Sequence, residues 1–283
     1  MRSLRVFGLL VILSMGALMV QQQASAQKVS VNFQLFYDEL SPHGMWVDYP
    51  NHGYVWMPRG NPGFTPYATG GHWVFTNDGW TWVSDYPWGW ATFHYGRWDY
   101  DNVYGWFWVP GNEWGPAWVS WRRSPGYYGW APLRPGISIN AASQNEQWIF
   151  VKEGDIAKSD VSRHYVNRSE NVTIIKNSTV IVNTHKDSKS NVTYVAGPDR
   201  GDVEKATHGK VKSVAIRDND KPGNQLSNDE LKIYRPEVQK GKGDGKAPAP
   251  SKVTKLSDAK PIAEKESKPK PDQHEGKKNK DDK

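Results

Sequence analysis

The chain has 283 residues, 37% of them hydrophobic, a formal net charge of +6 and no cysteine. Without cysteine there are no disulfides, thiolate metal sites or thiol nucleophiles, so stability has to come from packing. The positive charge does not mark a nucleic-acid surface: residues 240–283 carry thirteen Lys against eight acidic residues, whereas 28–135 carry six basic and eight acidic residues, and nucleic-acid sites interleave charge with rings.

Residues 1–26 read as a secretory signal. Arg2 and Arg5 open it, Val6 to Val20 form an apolar run, and Ala24-Ser25-Ala26 is a small-residue cleavage site. Cleavage after Ala26 would leave a protein beginning at Gln27, exported to the periplasm or secreted. Gln27 is not Cys, which argues against a lipid anchor. No later run reaches the roughly 18 apolar residues of a membrane helix, so no membrane span is expected after cleavage.

From residue 28, Val29, Val31, Phe33, Leu35 and Phe36 alternate as in a strand, which Tyr37-Asp-Glu-Leu-Ser-Pro42 then ends as a turn. Between Met45 and Leu133 lie fourteen of the fifteen tryptophans. There the chain repeats with a period near 26 residues: Gly53-Tyr-Val-Trp56, Gly79-Trp-Thr-Trp82 and Gly105-Trp-Phe-Trp108. Such self-similarity marks a repeated supersecondary unit. A phrase precedes each copy, at Trp46, Trp73 and Trp98, and another follows at Tyr86-Pro-Trp88-Gly-Trp90 and at Glu113-Trp114-Gly. Alternate large rings, as at 80 and 82 or 104, 106 and 108, share one face of a strand. Asn51-His-Gly53 and Asn77-Asp-Gly79 suit tight hairpin turns. Each unit predicts a β-hairpin followed by a Pro/Gly/Trp loop, and the set predicts a mainly β fold whose antiparallel hairpins curl into a small barrel or sandwich.

Past Pro135 the composition changes. Trp148 to Val151 is a short apolar run that closes the first region, Asp155 to Tyr165 reads as one helix, and Asn171 to Asn183 as a hairpin turning at Lys176-Asn177-Ser178. Val192 to Val195 reads as a third strand, Val203 to Thr207 as a short helix ended by Gly209, and Val211 to Ile216 and Leu231 to Tyr234 as strands. Lys, Asp, Glu, Pro, Gly and Ser dominate the end of the chain, the composition of a disordered tail. The resulting division is 1–26 signal, 27–136 Trp-rich repeat region, 137–238 smaller β-rich region with short helices, and 239–283 disordered tail.

The phrases Trp88-Gly-Trp90-Ala, Gly105-Trp-Phe-Trp-Val-Pro-Gly111, Trp118-Val-Ser-Trp and Gly129-Trp-Ala-Pro132, with Gly197-Pro and Tyr234-Arg-Pro236 further on, resemble those of a family of exported bacterial proteins of unknown function built from Trp/Tyr/Gly repeats. The resemblance covers roughly residues 30–238. It implies an exported Gram-negative protein and supplies no catalytic residues. In the first unit Pro62-Gly-Phe-Thr-Pro66 replaces the Trp-Gly-Trp phrase.

No catalytic constellation emerges from the residue types. Asp85 and Glu113 border the Trp-Gly loops, as a glycosidase pair would, but Asp85 stands three before Trp88 and Glu113 one before Trp114, so equivalent roles are disfavoured. The eight histidines, His72 and His94 among them, show no ligand spacing, and neither a metal nor a cofactor is expected. Exposed indole and phenol rings stack on sugar rings while keeping a polar handle. The rings least committed to a strand are Tyr86, Trp88, Trp90, Phe93, Tyr95 and Trp114, and these form the expected ligand-binding rim, although rings of this kind serve equally as core or turn anchors. The expectation is a non-enzymatic cell-envelope protein that binds a glycan or a partner protein through that rim. The alternative is a purely structural or assembly role with no small ligand.

Overall fold

The computed structural model describes residues 30–60, 62–139, 147–188, 190–240 and 247–260; the expected signal, 1–26, lies outside them. A short strand, β1 (Ser30–Asn32), leads into helix α1 (Gln34–Leu40). The strand expected across Leu35 and Phe36 is therefore corrected to helix: Phe36, Tyr37 and Leu40 fall on one helical face and are all buried. Four hairpins follow: β2–β3 (Gly44–Tyr49, Gly53–Pro58), β4–β5 (Gly71–Thr76, Gly79–Ser84), β6–β7 (Arg97–Asp101, Gly105–Val109) and β8–β9 (Val119–Ser124, Tyr127–Pro132). Helical turn α2 (Gly89–Thr92) lies between the second and third.

The repeat has a simple meaning in the register. Each hairpin sets one tryptophan directly opposite another: Trp46 faces Trp56, Trp73 faces Trp82, Trp98 faces Trp108 and Trp121 faces Trp130. Cross-strand aromatic pairs of this kind are the unit that stabilises a sheet. A glycine makes room for the second ring in the first three hairpins. A Cβ on Gly44 would come within 2.4 Å of Trp56, one on Gly71 within 2.7 Å of Trp82, and one on Gly96 within 2.9 Å of Trp108. The indole N–H groups then find carbonyls: Trp46 donates to Tyr37 O, Trp56 to Leu40 O, Trp108 to Tyr95 O and Trp130 to Tyr67 O. Tyr67 stands four residues before Gly71 as Leu40 stands four before Gly44, yet its carbonyl serves Trp130 instead of Trp82. The buried Trp82 Nε1 has no hydrogen-bond partner among the described residues.

The later chain fills in around these hairpins. Strand β10 (Ile149–Lys152) pairs with β9. In place of the single helix expected over Asp155 to Tyr165 there are two 3-10 turns, Glu153–Asp155 and Val161–His164. The hairpin expected over Asn171 to Asn183 is also corrected. Its first half is helix α3 (Asn171–Lys176), tied down where Asn171 Nδ2 donates to Trp148 O, and its second half is β11 (Thr179–Ile181), paired with β8. Next come β12 (Thr184–Lys186) and its antiparallel partner β13 (Thr193–Val195), then helix α4 (Arg200–Thr207), N-capped by the Asp199 side chain. Strand β14 (Ser213–Asp218) runs parallel to β4 on one side and to β16 (Glu230–Ile233) on the other, and β15 (Asn224–Ser227) lies outside β16. Strand β17 (Glu237–Gln239) pairs with β1.

The boundary drawn at residue 136 does not interrupt the packing, because β11 and β14 join sheets begun by the hairpins and one core cluster takes residues from both stretches. Of the disordered tail expected over 239–283, residues 241–246 and 261–283 lie outside the described residues, and the described stretch 247–260 carries one strand. Strand β18 (Val253–Lys255) pairs in parallel with β2, and Leu256 packs against the cluster of Val47, Val55, Met57 and Phe107 on the outer face of that sheet.

Over the described residues the fold is mainly β, with two five-stranded sheets (β18-β2-β3-β7-β6 and β15-β16-β14-β4-β5), one four-stranded sheet (β10-β9-β8-β11) and two strand pairs. No barrel closes among the described residues, and the sheets face one another as in a sandwich. Between them lies a continuous aromatic core. Trp73 of one sheet lies 4.6 Å from Trp121 of another, and Phe93 contacts Tyr67, Trp82, Trp88 and Trp98. Fourteen of the fifteen tryptophans are buried, because several sheets converge where a single curled sheet would have left rings outside.

Candidate ligand-binding site

The six residues expected to form an exposed aromatic rim do not form one. Trp88, Trp90, Phe93 and Tyr95 are buried, the most exposed of them being Trp88 at 3%. The physical reason is that the Trp-Gly-Trp phrase makes α2, a helical turn that plugs the space between sheets. Trp90 packs on Phe36 and Tyr234, Tyr95 donates its hydroxyl to Pro236 O, and Trp88 lies against Trp56, Phe64 and Trp98. Trp114 is half-buried, with the His94 ring parallel to it at 5.6 Å and the Arg235 guanidinium 4.9 Å from its centre.

Tyr86 differs from the others. Half-buried, it lines a cleft of about 540 Å³ between the end of β5 and the edge strand β15. His72 of β4, Ser84 of β5, Asp85 and Pro87 form one side, and Pro222, Gly223, Asn224 and Leu226 form the other. The sheet containing both strands curls until they approach, and Asn224 Nδ2 spans the gap by donating to Ser84 O at 3.0 Å.

The loop that presents Tyr86 is fixed by short-range bonds. Asp85 N donates to Gly70 O at 2.7 Å, Tyr86 N to Ser84 Oγ at 3.1 Å, and the Tyr86 hydroxyl to Thr69 Oγ1 at 3.3 Å. Gly89 is required beneath it, because a Cβ there would stand 2.3 Å from the Ser84 side chain. The Tyr86 ring stacks on Trp88, centroids 4.5 Å apart and planes 5° apart, and Phe64 meets it edge-on at 5.7 Å. A buried indole thus backs a half-exposed phenol and holds its plane rigid.

Electrostatically the cleft has one fixed charge, the exposed Asp85 carboxylate. Burial pulls the His72 imidazole below its ordinary pKa, with Asp85 partly opposing that shift, so the ring is neutral near pH 7. Glu113, the other carboxylate considered for a hydrolytic pair, does not line the cleft. His94 is buried and structural: desolvation holds its pKa down to about 4, and Nδ1 lies 3.0 Å from Gly115 O. No group of three or more His, Asp or Glu among the described residues is arranged to hold a metal ion. Sequence reasoning identified Tyr86 and weighed Asp85 and His72, but missed Asn224 and Leu226, whose strand is polar and short.

Residues 37–137 match the model of a family of unknown function, DUF6600. The DUF6600 match takes in all four tryptophan hairpins and the Tyr86 loop. It is narrower than the 30–238 implied by the repeat phrases, and it stops short of β15, so one wall of the cleft comes from outside it. No curated protein and no solved structure matches the chain.

Proposed function

We propose that the protein is exported to the bacterial cell envelope and binds a glycan there, without catalysis, in the cleft walled by Tyr86. The observation that carries this reading is the Tyr86 ring, stacked on Trp88 and set among the carboxylate of Asp85, the imidazole of His72 and the amide of Asn224. Saccharides are recognised by this combination, an aromatic surface for the C–H face of the ring and a few fixed polar groups for its hydroxyls. Export is read from the leader-like residues 1–26. Calorimetric titration of the mature protein with peptidoglycan fragments and neutral polysaccharides tests the reading. At least one glycan should bind, and Tyr86→Ala should weaken it by about tenfold while circular dichroism remains native. The reading fails if no glycan binds, or if the variant binds as the parent does.

The rival role, a structural or assembly component with no small ligand, is favoured by one observation: nearly the whole indole content is core. It would be preferred if cross-linking in intact cells joined the protein to envelope proteins while every glycan titration stayed flat.

A further inference from the structure

The cleft has a sign as well as a shape. Its lining includes one carboxylate, Asp85, and neither Lys nor Arg. The ion pairs among the described residues do not engage Asp85. The nearest basic side chain in sequence, Lys221, precedes Pro222 on the opposite wall and is exposed. Arg235, which follows the end of β16, is bonded to Asp218 and Asp78 and does not line the cleft. Asp85 therefore lines the cleft together with Tyr86 and joins none of these ion pairs, with the His72 imidazole as an electrostatic neighbour. A carboxylate next to an aromatic ring is the arrangement that attracts an ammonium, through charge pairing on one side and the ring quadrupole on the other.

The other lining groups suit hydroxyls. Asn224 spends one amide hydrogen on Ser84 O, which leaves its carbonyl oxygen and second hydrogen for a ligand. The His72 imidazole supplies one donor and one acceptor when neutral. Pro87, Pro222 and Leu226 give apolar surface at the margins.

Building on the glycan reading, we propose that the cleft selects an amino sugar, with the pyranose ring against Tyr86 and the free ammonium paired with Asp85. The same charge disfavours uronic acids and phosphorylated sugars, which would bring a second anion to an unneutralised carboxylate.

The test is calorimetry on the mature full-length protein at low salt with four probes: a glucosamine tetramer, an N-acetylglucosamine tetramer, a galacturonate tetramer and tri-lysine. The glucosamine tetramer should bind tightest, about two- to fivefold above its N-acetylated counterpart, the range for an exposed charge pair. The preference should shrink as salt is raised to 0.5 M, about a 4 Å screening length. Asp85→Asn should bring glucosamine affinity down to near that of the N-acetylated sugar. Equal binding of the two sugars by the parent protein would overturn the selection and leave glycan binding standing. Tri-lysine binding that matches glucosamine and vanishes in Asp85→Asn would make the cleft a basic-peptide site and overturn the sugar assignment. Failure of all three saccharides would overturn the glycan reading itself.

Discussion

The hairpin stretch and the chain after it achieve order in different ways. In the hairpins, facing tryptophans at Trp46/Trp56, Trp73/Trp82, Trp98/Trp108 and Trp121/Trp130 put the largest side chains at fixed positions in the register, so each unit carries its own core element. Of the later strands, β10 still puts Ile149, Phe150 and Val151 into the core, but two others carry little of their own. β12 is exposed throughout and β15 is at most half-buried, and these two are held by backbone pairing to β13 and β16, whose own side chains are partly buried. The lesson is that self-sufficient units leave a regular trace in sequence, whereas dependent strands take their conformation from partners far along the chain.

Substitution can sharpen that contrast, beginning where the expected effect is largest. Trp108 is fully buried, meets Phe36 edge-on at 5.4 Å and donates its indole N–H to Tyr95 O. Trp108→Ala should cost about 4 kcal/mol, read as a fall in the urea midpoint; a loss below about 1 kcal/mol would mean that the facing pairs do not hold the fold.

The buried His94 gives the next effect, through pH. Its folded-state pKa of about 4 lies below the ordinary 6.5, so the unfolded chain takes up a proton first as pH falls. Stability is then unaffected above pH 6.5 and declines between pH 6.5 and about 4, by ~3 kcal/mol in all. His94→Gln should lack that part of the acid sensitivity, and urea titrations at several pH values in the window would show the difference.

At the far end of the chain the effects should be smaller. Leu256 is the residue of the last segment that packs on the outer-face cluster, and it remains partly exposed. Leu256→Ala should cost about 1 kcal/mol and speed amide exchange in β18 with little change in the hairpins. Val172, 62% exposed on α3, marks the lower limit: Val172→Thr should change stability by no more than about 0.5 kcal/mol.

The same contrast explains what could be read in advance. Period and hairpin turns were legible around Trp56, Trp82 and Trp108, because a two-residue alternation and Gly-containing turns encode them locally. Tyr104, however, expected on the face of Trp106 and Trp108, precedes β7 and packs with Val47, Val55, Met57 and Phe107 instead. The fate of Trp88 and Trp90 was not legible. A Trp-Gly-Trp loop reads the same whether its rings face water or plug a core, and the deciding partners, Phe36 and Tyr234, lie well outside the repeat. Helix α3 escaped because its Val, Thr and Ile residues favour strands, and the bond from Asn171 to Trp148 O that anchors it is a tertiary one. Of the candidate site, Tyr86 was visible as an aromatic residue in a loop. The cleft was not, since its second wall is a polar strand whose position depends on the parallel pairing of β14 with β4.

Hydrogen exchange of the indole N–H groups, followed residue by residue by NMR, tests most directly whether the tryptophans are scaffold and the Tyr86 cleft is the surface left for a ligand. Trp46, Trp56, Trp80, Trp108, Trp118 and Trp130 donate to buried carbonyls and should exchange only through large-scale unfolding, unaffected by added glycan. Rapid exchange at several of them in the native protein, slowed by a saccharide, would return the binding surface to the indoles and contradict the account.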